Sequence, residues 1–390
     1  MAKRKLIVVW SNRFRDFDWQ RLELNYLQDV CEIIVLDLGN CLNPKLSEKY
    51  AGGSKMDCVY QINRIGEYIL FLRNFKSMID DQVVIISDLR SPRPKVLFCS
   101  FLLKFTNGTV VWRLTGGAAT GTSNQVGLIL MKRAPLIYSL LHSFLKMRFI
   151  FSRPNLVMTG SSSSELIADK LLPKKIARIR ASSDDYSLFL GHQTAFASLA
   201  DKTKKVVFID QGFPAFPTDL DRFNDHRLVD SADFYKMLNQ FFGFVESSLS
   251  CGLEILAHPK HYGFQFSSQF NLRRVVHGNT REEIRISELV VAMTSTAISY
   301  AILFDKPMIL VTSDQVDRFR FLAMGLNRIS LETGSKIFNI DREHTEQELR
   351  EALVIDHTKR ESYKRKYLTS RTDDKPNYQV LLDEVINVVD

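Results

Sequence analysis

Short runs of β-branched and aliphatic residues alternate with amphipathic stretches along this chain, and this alternation limits its fold more than any other feature. Runs at residues 5–11, 31–39 and 82–89 predict buried strands, because continuous apolar segments of this length need burial on both faces. The stretch 16–30 between the first two carries apolar residues at helical spacing and predicts a helix. Strands that alternate with helices are typical of a mostly parallel sheet, so the sequence predicts the α/β class.

The alternation starts again at residues 204–210, which indicates a second unit of the same kind. A chain of 390 residues also exceeds the size of one ordinary core. We therefore predict two α/β domains that face each other across a cleft. The predicted bounds are 1–190 for the first domain, 200–355 for the second, and 356–390 for C-terminal helices that cross back to the first.

The cysteines and the lengths of the apolar stretches indicate the cellular compartment of the protein. Its five cysteines are scattered and form no Cys-x-x-Cys pair, which favours reduced thiols over a disulfide framework or a zinc site. The uncharged apolar stretch at residues 134–145 has 12 residues, whereas a membrane-spanning helix needs about 20. We expect a cytoplasmic protein.

Charge is distributed unevenly along the chain. The span between Asp88 and Glu165 contains no acidic residue and ten basic ones. Its apolar segment 135–149 predicts a helix that is too short to cross a bilayer, with Lys132 and Arg133 before it and Lys146 and Arg148 near its end. We expect this face to bind the anionic inner surface of the cytoplasmic membrane. Two alternatives are a helix packed as an inner layer on the first sheet and a basic surface that is merely solvated. Nucleic acid is not an expected partner, because the aromatic residues of this span are not interleaved with Lys and Arg.

Polar residues cluster where predicted strands of the second domain end. Asp210 ends one β-branched run and is followed closely by Gly212, while His258 ends another at a point where Pro259 stops the strand. Ligands of open parallel sheets bind beyond the carboxyl ends of the strands. We therefore predict Asp210 and His258 as catalytic residues, and Gly212, Pro259 and Lys260 as donor-binding residues. The alternatives are a turn role for Asp210 and a structural role for His258.

Two further strand ends carry candidate donor-binding residues. Gly278 ends the first, and Thr280 is predicted to cap the next helix together with Glu283, with a nucleotide contact as a possible additional role. The second run ends in hydroxyl residues that open a predicted helix, where hydroxyls and free amides can bind phosphate or simply cap the helix. These residues are Thr294, Ser295 and Thr296.

The order of these motifs resembles a known family. An acidic residue before glycine, then His-Pro, then a hydroxyl pair that opens a helix is similar to the bacterial sialyltransferases of the GT-B type, which use CMP-sugar donors. Residues 287–309, SELVVAMTSTAISYAILFDKPMI, also resemble a segment of the CDP-glycerol-dependent polyol-phosphate transferases. The resemblance covers about residues 204–315 and departs at Gln211, where the sialyltransferases carry a second acidic residue. It implies two Rossmann-like domains, the first on the acceptor side and the second holding the nucleotide donor.

The resemblance also implies a function. It indicates a metal-independent, inverting glycosyltransferase that moves an acidic sugar of the sialic, nonulosonic or Kdo type from CMP to a glycan or lipid-linked glycan of a capsule or O-antigen. Asp210 would deprotonate the acceptor hydroxyl, and His258 would protonate or hold the departing phosphate. No cofactor and no metal are expected, since the CMP-sugar is a substrate. Two alternatives stay open: a CDP-polyol (glycerol or ribitol) phosphotransferase, and a noncatalytic basic protein that binds membranes.

One loop of the first domain is a candidate for the acceptor side. Residues 112–125, WRLTGGAATGTSNQ, combine glycines, small residues and hydroxyls after a predicted strand, without the Gly-Lys-Ser/Thr of a P-loop. The alternative is a mobile loop without a ligand. The predicted acceptor-side residues are Gly116, Gly117, Thr120, Thr122 and Ser123.

Overall fold

The computed structural model describes residues 3–44, 47, 53–76, 83–89, 93–116, 154–191, 204–214, 229–258 and 268–387. These residues form two compact units. Unit 1 contains the described residues up to Gly116, those of 154–191 and those from Thr369 onward, and unit 2 contains those from 204 to Leu368. The C-terminal segment 356–390 is thus divided between the units after Leu368.

Seven parallel strands form the sheet of unit 1. Their order is β3-β2-β1-β4-β5-β6-β7, so the direction in which the chain adds strands reverses at β1. The strands are β1 (Arg4–Trp10), β2 (Cys31–Asp37), β3 (Val59–Gln61), β4 (Val84–Ser87), β5 (Thr109–Leu114), β6 (Leu156–Thr159) and β7 (Ala177–Arg180).

Both faces of this sheet are buried under helices, which explains the unbroken apolar run in β1. Ile7 and Val9 point to one core cluster, and Leu6 and Val8 point to the other. Because successive side chains of a strand point to opposite faces, a strand covered on both sides needs apolar residues at every position. The helices of unit 1 are α1 (Asp16–Arg21), α2 (Leu24–Leu27), α3 (Gly39–Leu42), α4 (Ile65–Lys76), α5 (Pro94–Leu102), α6 (Ser162–Leu171), α7 (Asp184–Gly191) and the C-terminal helix (Asn377–Leu381).

Six parallel strands form the sheet of unit 2. Their order is β10-β9-β8-β11-β12-β13, so the reversal falls at β8, with β9 on one side and β11 on the other. The strands are β8 (Lys205–Ile209), β9 (Gly252–Leu256), β10 (Val275–Val276), β11 (Leu289–Ala292), β12 (Met308–Thr312) and β13 (Ile337–Asn339).

The longest described helix of unit 2 shows how its sequence builds an amphipathic element. Phe234, Leu238, Phe242 and Val245 recur at helical spacing and are all buried, and the carboxylate of Asp230 caps the first turn. The helices of unit 2 are α8 (Ser231–Leu249), α9 (Thr280–Ile286), α10 (Ile298–Leu303), α11 (Asp314–Asp317), α12 (Arg320–Thr333), α13 (Glu346–Ala352) and α14 (His357–Tyr363).

Two helices predicted from the sequence differ in extent from those of the structure. The helix predicted over 16–30 is broken at Glu23, which adopts a left-handed backbone (φ 57°) and buries its side chain. The helix predicted to open at Ser295 starts at Ile298 instead. Strands β3, β7 and β13 were not predicted, because segments this short give no clear periodicity.

No helix among the described residues has both the length and the apolar character that crossing a membrane requires. The predicted helix 135–149 lies outside the described residues. The same holds for the four cations predicted to bind a membrane, Lys132, Arg133, Lys146 and Arg148.

Candidate functional site

The candidate residues of unit 2 follow strands that end at one edge of its sheet. Ile209, the last residue of β8, pairs with Leu256 of β9 and with Ala292 of β11. Asp210 and the segment that begins at Met293 therefore leave the sheet side by side at the reversal of strand order. Such a switch point is where open α/β sheets bind ligands.

Asp210 is buried and takes part in a tight turn. The residue is 4% exposed, and its Oδ1 accepts a 2.8 Å hydrogen bond from the backbone N–H of Gly212. Gly212 has a φ of 77°, a left-handed conformation that glycine adopts without strain. The turn orients the carboxylate of Asp210 at the strand end. One carboxylate oxygen, Oδ1, is already engaged by the amide of Gly212.

Gln211, which was not predicted as a site residue, joins the two polar segments across the switch point. Its Oε1 accepts hydrogen bonds from the backbone N–H (3.1 Å) and from the hydroxyl (3.2 Å) of Thr294. The Nε2 group of Gln211 also lies 3.1 Å from that hydroxyl oxygen. The one sequence signal for this role was the departure from the sialyltransferase motif at Gln211. Thr294 therefore positions its segment, since its amide and hydroxyl are engaged by Gln211.

Ser295 and Thr296 lie between β11 and α10 and do not cap the helix. The hydroxyl of buried Ser295 accepts a 3.3 Å hydrogen bond from the amide of Ala297. The carbonyl of exposed Thr296 accepts the hydroxyl of Ser299 at 2.7 Å and its amide at 3.2 Å. These local bonds form a turn before the helix and explain why α10 starts three residues later than predicted. With six residues, α10 is also a short helix.

His258 lies two residues beyond β9, on the other side of β8 from Thr294, and is partly buried. The amide of its neighbour Ala257 donates to the carbonyl of Val276, so the backbone at this strand end is held by β10. Pro259 and Lys260, the other members of the His-Pro motif, lie outside the described residues.

Gly278 and Thr280 follow β10, the outermost strand, two positions away from β8. Gly278 has a φ of 84°, and Thr280 is the first residue of α9. The predicted capping box is wrong: Asn279 occupies the cap position, and the carboxylate of Glu283 forms an ion pair with Lys205. A charged partner at the start of β8 holds Glu283 more strongly than a helix-start amide would.

In unit 1, Gly116 lies just after β5 at the carboxyl edge of the sheet. The other predicted acceptor-side residues, Gly117, Thr120, Thr122 and Ser123, lie outside the described residues. Across the part of the chain that the structure describes, His, Cys, Asp and Glu form no group of three or more that could hold a metal ion.

Solved structures resemble this chain over nearly its whole length at low identity, whereas no protein-family model and no curated protein sequence matches it. A variant of the wall teichoic acid polymerase TagF is 11% identical, with 99% of this chain and 89% of that chain covered and a TM-score of 0.55. The UDP-GlcNAc 2-epimerase from Methanocaldococcus jannaschii is 12% identical, with 97% and 98% covered and a TM-score of 0.52. The UDP-GlcNAc 2-epimerase from Neisseria meningitidis, bound to UDP-GlcNAc, is 11% identical, with 98% and 100% covered and a TM-score of 0.50.

At this identity the likeness shows the fold. Together with the strand orders of the two sheets, it confirms the predicted α/β fold of two Rossmann-like domains of the GT-B type. A specific resemblance to sialyltransferases is not among these findings, and activity has to be argued from the residues of the site.

Proposed function

We propose that unit 2 binds a cytidine nucleotide at its switch point and that the protein transfers an acidic sugar from CMP to a surface glycan. The observation that carries the proposal is the pairing of two polar segments there, one at Asp210 and one at Thr294, tied together by Gln211. A preorganised polar strand edge is the kind of site that binds a nucleotide in Rossmann-like domains.

The phosphate of the donor is assigned to the segment after β11. Thr294 is held by Gln211, so the segment is fixed before a ligand arrives. Thr296, two residues further along, is exposed. Its hydroxyl and that of Ser295 are assigned as hydrogen-bond donors to the phosphate oxygens. Fixed donors of this kind stabilise the charge that develops on a leaving phosphate.

The chemistry of transfer is assigned to Asp210 and His258. The acceptor hydroxyl gives its proton to Asp210 while its oxygen attacks the anomeric carbon of the sugar. The bond between that carbon and the phosphate oxygen breaks, and CMP leaves with its phosphate held by His258 and the Ser295–Thr296 hydroxyls. Single displacement inverts the anomeric configuration. The mechanism requires no metal ion, and the acceptor is a glycan or lipid-linked glycan at the cytoplasmic face of the membrane.

A second candidate is a CDP-polyol phosphotransferase. It is favoured by the structural likeness to TagF, a wall teichoic acid polymerase that has also been studied after soaking with CDPG, with a TM-score of 0.51 for the soaked structure. The same cytidine site would serve this reaction, but the acceptor would then attack phosphorus instead of carbon. Only this reaction leaves a phosphodiester in the product.

The decisive experiment measures nucleotide release from a panel of CMP-sugars and from CDP-glycerol, with analysis of the product linkage. CMP release with a glycosidic product supports the first proposal, and a phosphodiester product supports the second. The Ser295→Ala/Thr296→Ala variant should lower affinity for CMP in calorimetry. A matched control is Thr358→Ala, which removes an exposed hydroxyl on α14. Equal CMP affinity in the site variant and the control would move the nucleotide site elsewhere.

A further inference from the structure

The chain returns to unit 1 after Leu368, and residues 369–387 are here called the tail. The hydroxyl of Ser370 donates to the carbonyl oxygens of Thr159 (3.0 Å) and Ala181 (3.2 Å), so the tail begins at the ends of β6 and β7. Apolar residues of the tail then complete the core on one face of the sheet. They are Val380, Leu381, Val385 and Ile386. The tail is therefore part of unit 1, although the chain connects it directly to unit 2.

Asn377, the first residue of the C-terminal helix, fixes the tail on unit 1. Its side chain is paired with the backbone of Ser182, since Oδ1 accepts the amide and Nδ2 donates to the carbonyl, both at 2.9 Å. The backbone amide of Asn377 donates to the hydroxyl oxygen of Ser187 at 2.5 Å. Asn377 and both serines are buried, so the helix is docked through hydrogen bonds that water does not reach.

Ser187 connects Asn377 to the buried carboxyl group of Glu23. The hydroxyl of Ser187 donates to Oε2 of Glu23 at 2.7 Å, so the amide, the hydroxyl and the carboxyl form one chain of hydrogen bonds. Three residues after Glu23, the ring of Tyr26 stacks on that of Tyr378 in the tail, with centroids 4.6 Å apart. Glu23 therefore lies directly beside the surface on which the tail is docked.

The charged groups around Glu23, in the part of unit 1 that the structure describes, pair with one another and not with its carboxyl group. Arg113 of β5 and Arg21 of α1 both form ion pairs with Asp184 of α7, at 2.9 and 2.7 Å. Oε1 of Glu23 is buried without a hydrogen bond. An ionised carboxylate at this place lacks the partners that offset the cost of its burial, so the geometry favours the protonated acid.

We propose that the tail is a pH-dependent strap: protonated Glu23 keeps it docked on unit 1, and ionisation of Glu23 promotes its local release. Release opens the chain of hydrogen bonds at Asn377 and admits water to the carboxylate, which lowers the cost of its charge. The chain runs from unit 2 into the tail after Leu368, so release frees the unit 1 end of this connection. The proposal concerns unit 1 and does not depend on the nucleotide site proposed for unit 2.

The sign of the effect follows from the pKa of Glu23. Burial raises this pKa from 4.5 to about 7, although the hydroxyl of Ser187, the charge of Arg113 and the amide of Tyr378 favour the ionised form. The nearby charge of Asp184 adds to the upward shift. Once the tail is released, the hydrated carboxyl group has a pKa closer to 4.5. The stabilisation of the docked tail is therefore complete below pH 4.5 and is lost as the pH rises through 7.

Hydrogen–deuterium exchange of the full chain, followed by mass spectrometry at pH 6 and pH 8.5, tests the proposal. Labelling times are corrected for the pH dependence of intrinsic amide exchange. Peptides from residues 376–387 report on the tail, and peptides that contain β1 report on the core of unit 1. Because local release exposes the tail without unfolding the sheet, the amides of the tail should be less protected than those of β1 at both pH values.

We expect the protection of the tail in the wild type to fall about tenfold from pH 6 to pH 8.5. At pH 6, about one unit below the pKa of docked Glu23, protonation favours the docked tail about tenfold, and this advantage is absent at pH 8.5. Glu23→Gln has no titratable group and should give the tail equal protection at both pH values. Glu23→Met is a second such variant should Glu23→Gln fail to fold. The control Glu32→Gln, exposed on β2, should behave as the wild type does.

Three results overturn the proposal. The first is protection of the tail equal to that of β1, which would mean that the tail opens only when the whole unit unfolds. The second is protection of the wild-type tail that does not change with pH. The third is a pH dependence that persists in Glu23→Gln and Glu23→Met, which would assign it to another group.

Discussion

Replacing Glu23 with glutamine should stabilise unit 1 at neutral and alkaline pH. Glu23 lies between α1 and α2 and is fully buried. Burial raises the pKa of its carboxyl group from an ordinary value of 4.5 to about 7, although a hydrogen bond from Ser187 and the nearby charge of Arg113 oppose the shift. The hydroxyl of Ser187 donates to Oε2 at 2.7 Å, whereas Oε1 is buried without a hydrogen bond. The site thus suits a neutral side chain.

The sign of the pH dependence follows from the raised pKa. Between pH 4.5 and about 7 the folded chain keeps the proton of Glu23 while the unfolded chain has lost it. The contribution of Glu23 to stability is therefore complete below pH 4.5 and is lost as the pH rises through 7. At 1.36 kcal/mol for each pKa unit, the loss above pH 7 is about 3 kcal/mol. A glutamine of the same shape has no proton to lose.

Denaturant unfolding followed by tryptophan fluorescence measures this effect in the correct unit. The sequence has three tryptophans, and all of them, Trp10, Trp19 and Trp112, lie in unit 1. The variant Glu23→Gln should exceed the wild type by about 3 kcal/mol at pH 8, and the difference should shrink towards zero near pH 4.5. The control Glu32→Gln changes an exposed glutamate of β2 and should give no such trend.

The reasoning about Glu23 fails if Glu23→Gln is less stable than the wild type at pH 8, or if the difference is the same at every pH. Either result would mean that the buried carboxylate is ionised and held by Arg113. The removal of its charge would then break an ion pair instead of relieving a burial penalty.

Three further predictions concern unit 2. Arg360 is 4% exposed and donates hydrogen bonds to two carbonyl oxygens around the C-terminal end of α10, at 3.3 and 2.6 Å. The variant Arg360→Ala should therefore lower the free energy of unfolding of this unit by about 3 kcal/mol, measured by circular dichroism. A Cβ atom on Gly325 would lie 3.1 Å from Cγ2 of Thr294. The variant Gly325→Val should therefore displace the segment after β11 and weaken CMP binding about tenfold in calorimetry, and Gly325→Ala should have a smaller effect. The variant Asp210→Asn keeps an oxygen that can accept the amide of Gly212 but cannot act as a base. The rate of CMP release should fall by a factor of about 10²–10⁴ while CMP still binds. A normal rate would mean that Asp210 serves only as a turn residue.

The strands and the polar residues at their ends could be predicted from the sequence, because the patterns that indicate them involve neighbouring residues. A run such as residues 5–11 has to be covered on both faces, and Gly212 or Pro259 shows where a strand must stop. Since the carboxyl ends of parallel strands share an edge, the sequence alone could place Asp210, His258 and Thr294 on the same edge of one sheet.

The sequence patterns did not show which residues distant along the chain form hydrogen bonds with a given side chain. At the break, the buried carboxyl group of Glu23 accepts a hydrogen bond from the hydroxyl of Ser187, 164 residues further along the chain. The engagement of Thr294 depends on Gln211, 83 residues earlier, whose side-chain oxygen accepts the amide and the hydroxyl of Thr294.

The order of the strands was likewise decided by tertiary structure. Sequence periodicity gives each strand its two faces but carries no information about its neighbours, so the reversals at β1 and β8 were not predictable from it. The reversal at β8 is what brings Gln211 beside Thr294. Elements are encoded by residues close in sequence, whereas sites are made by hydrogen bonds between residues that meet only when the sheet has formed.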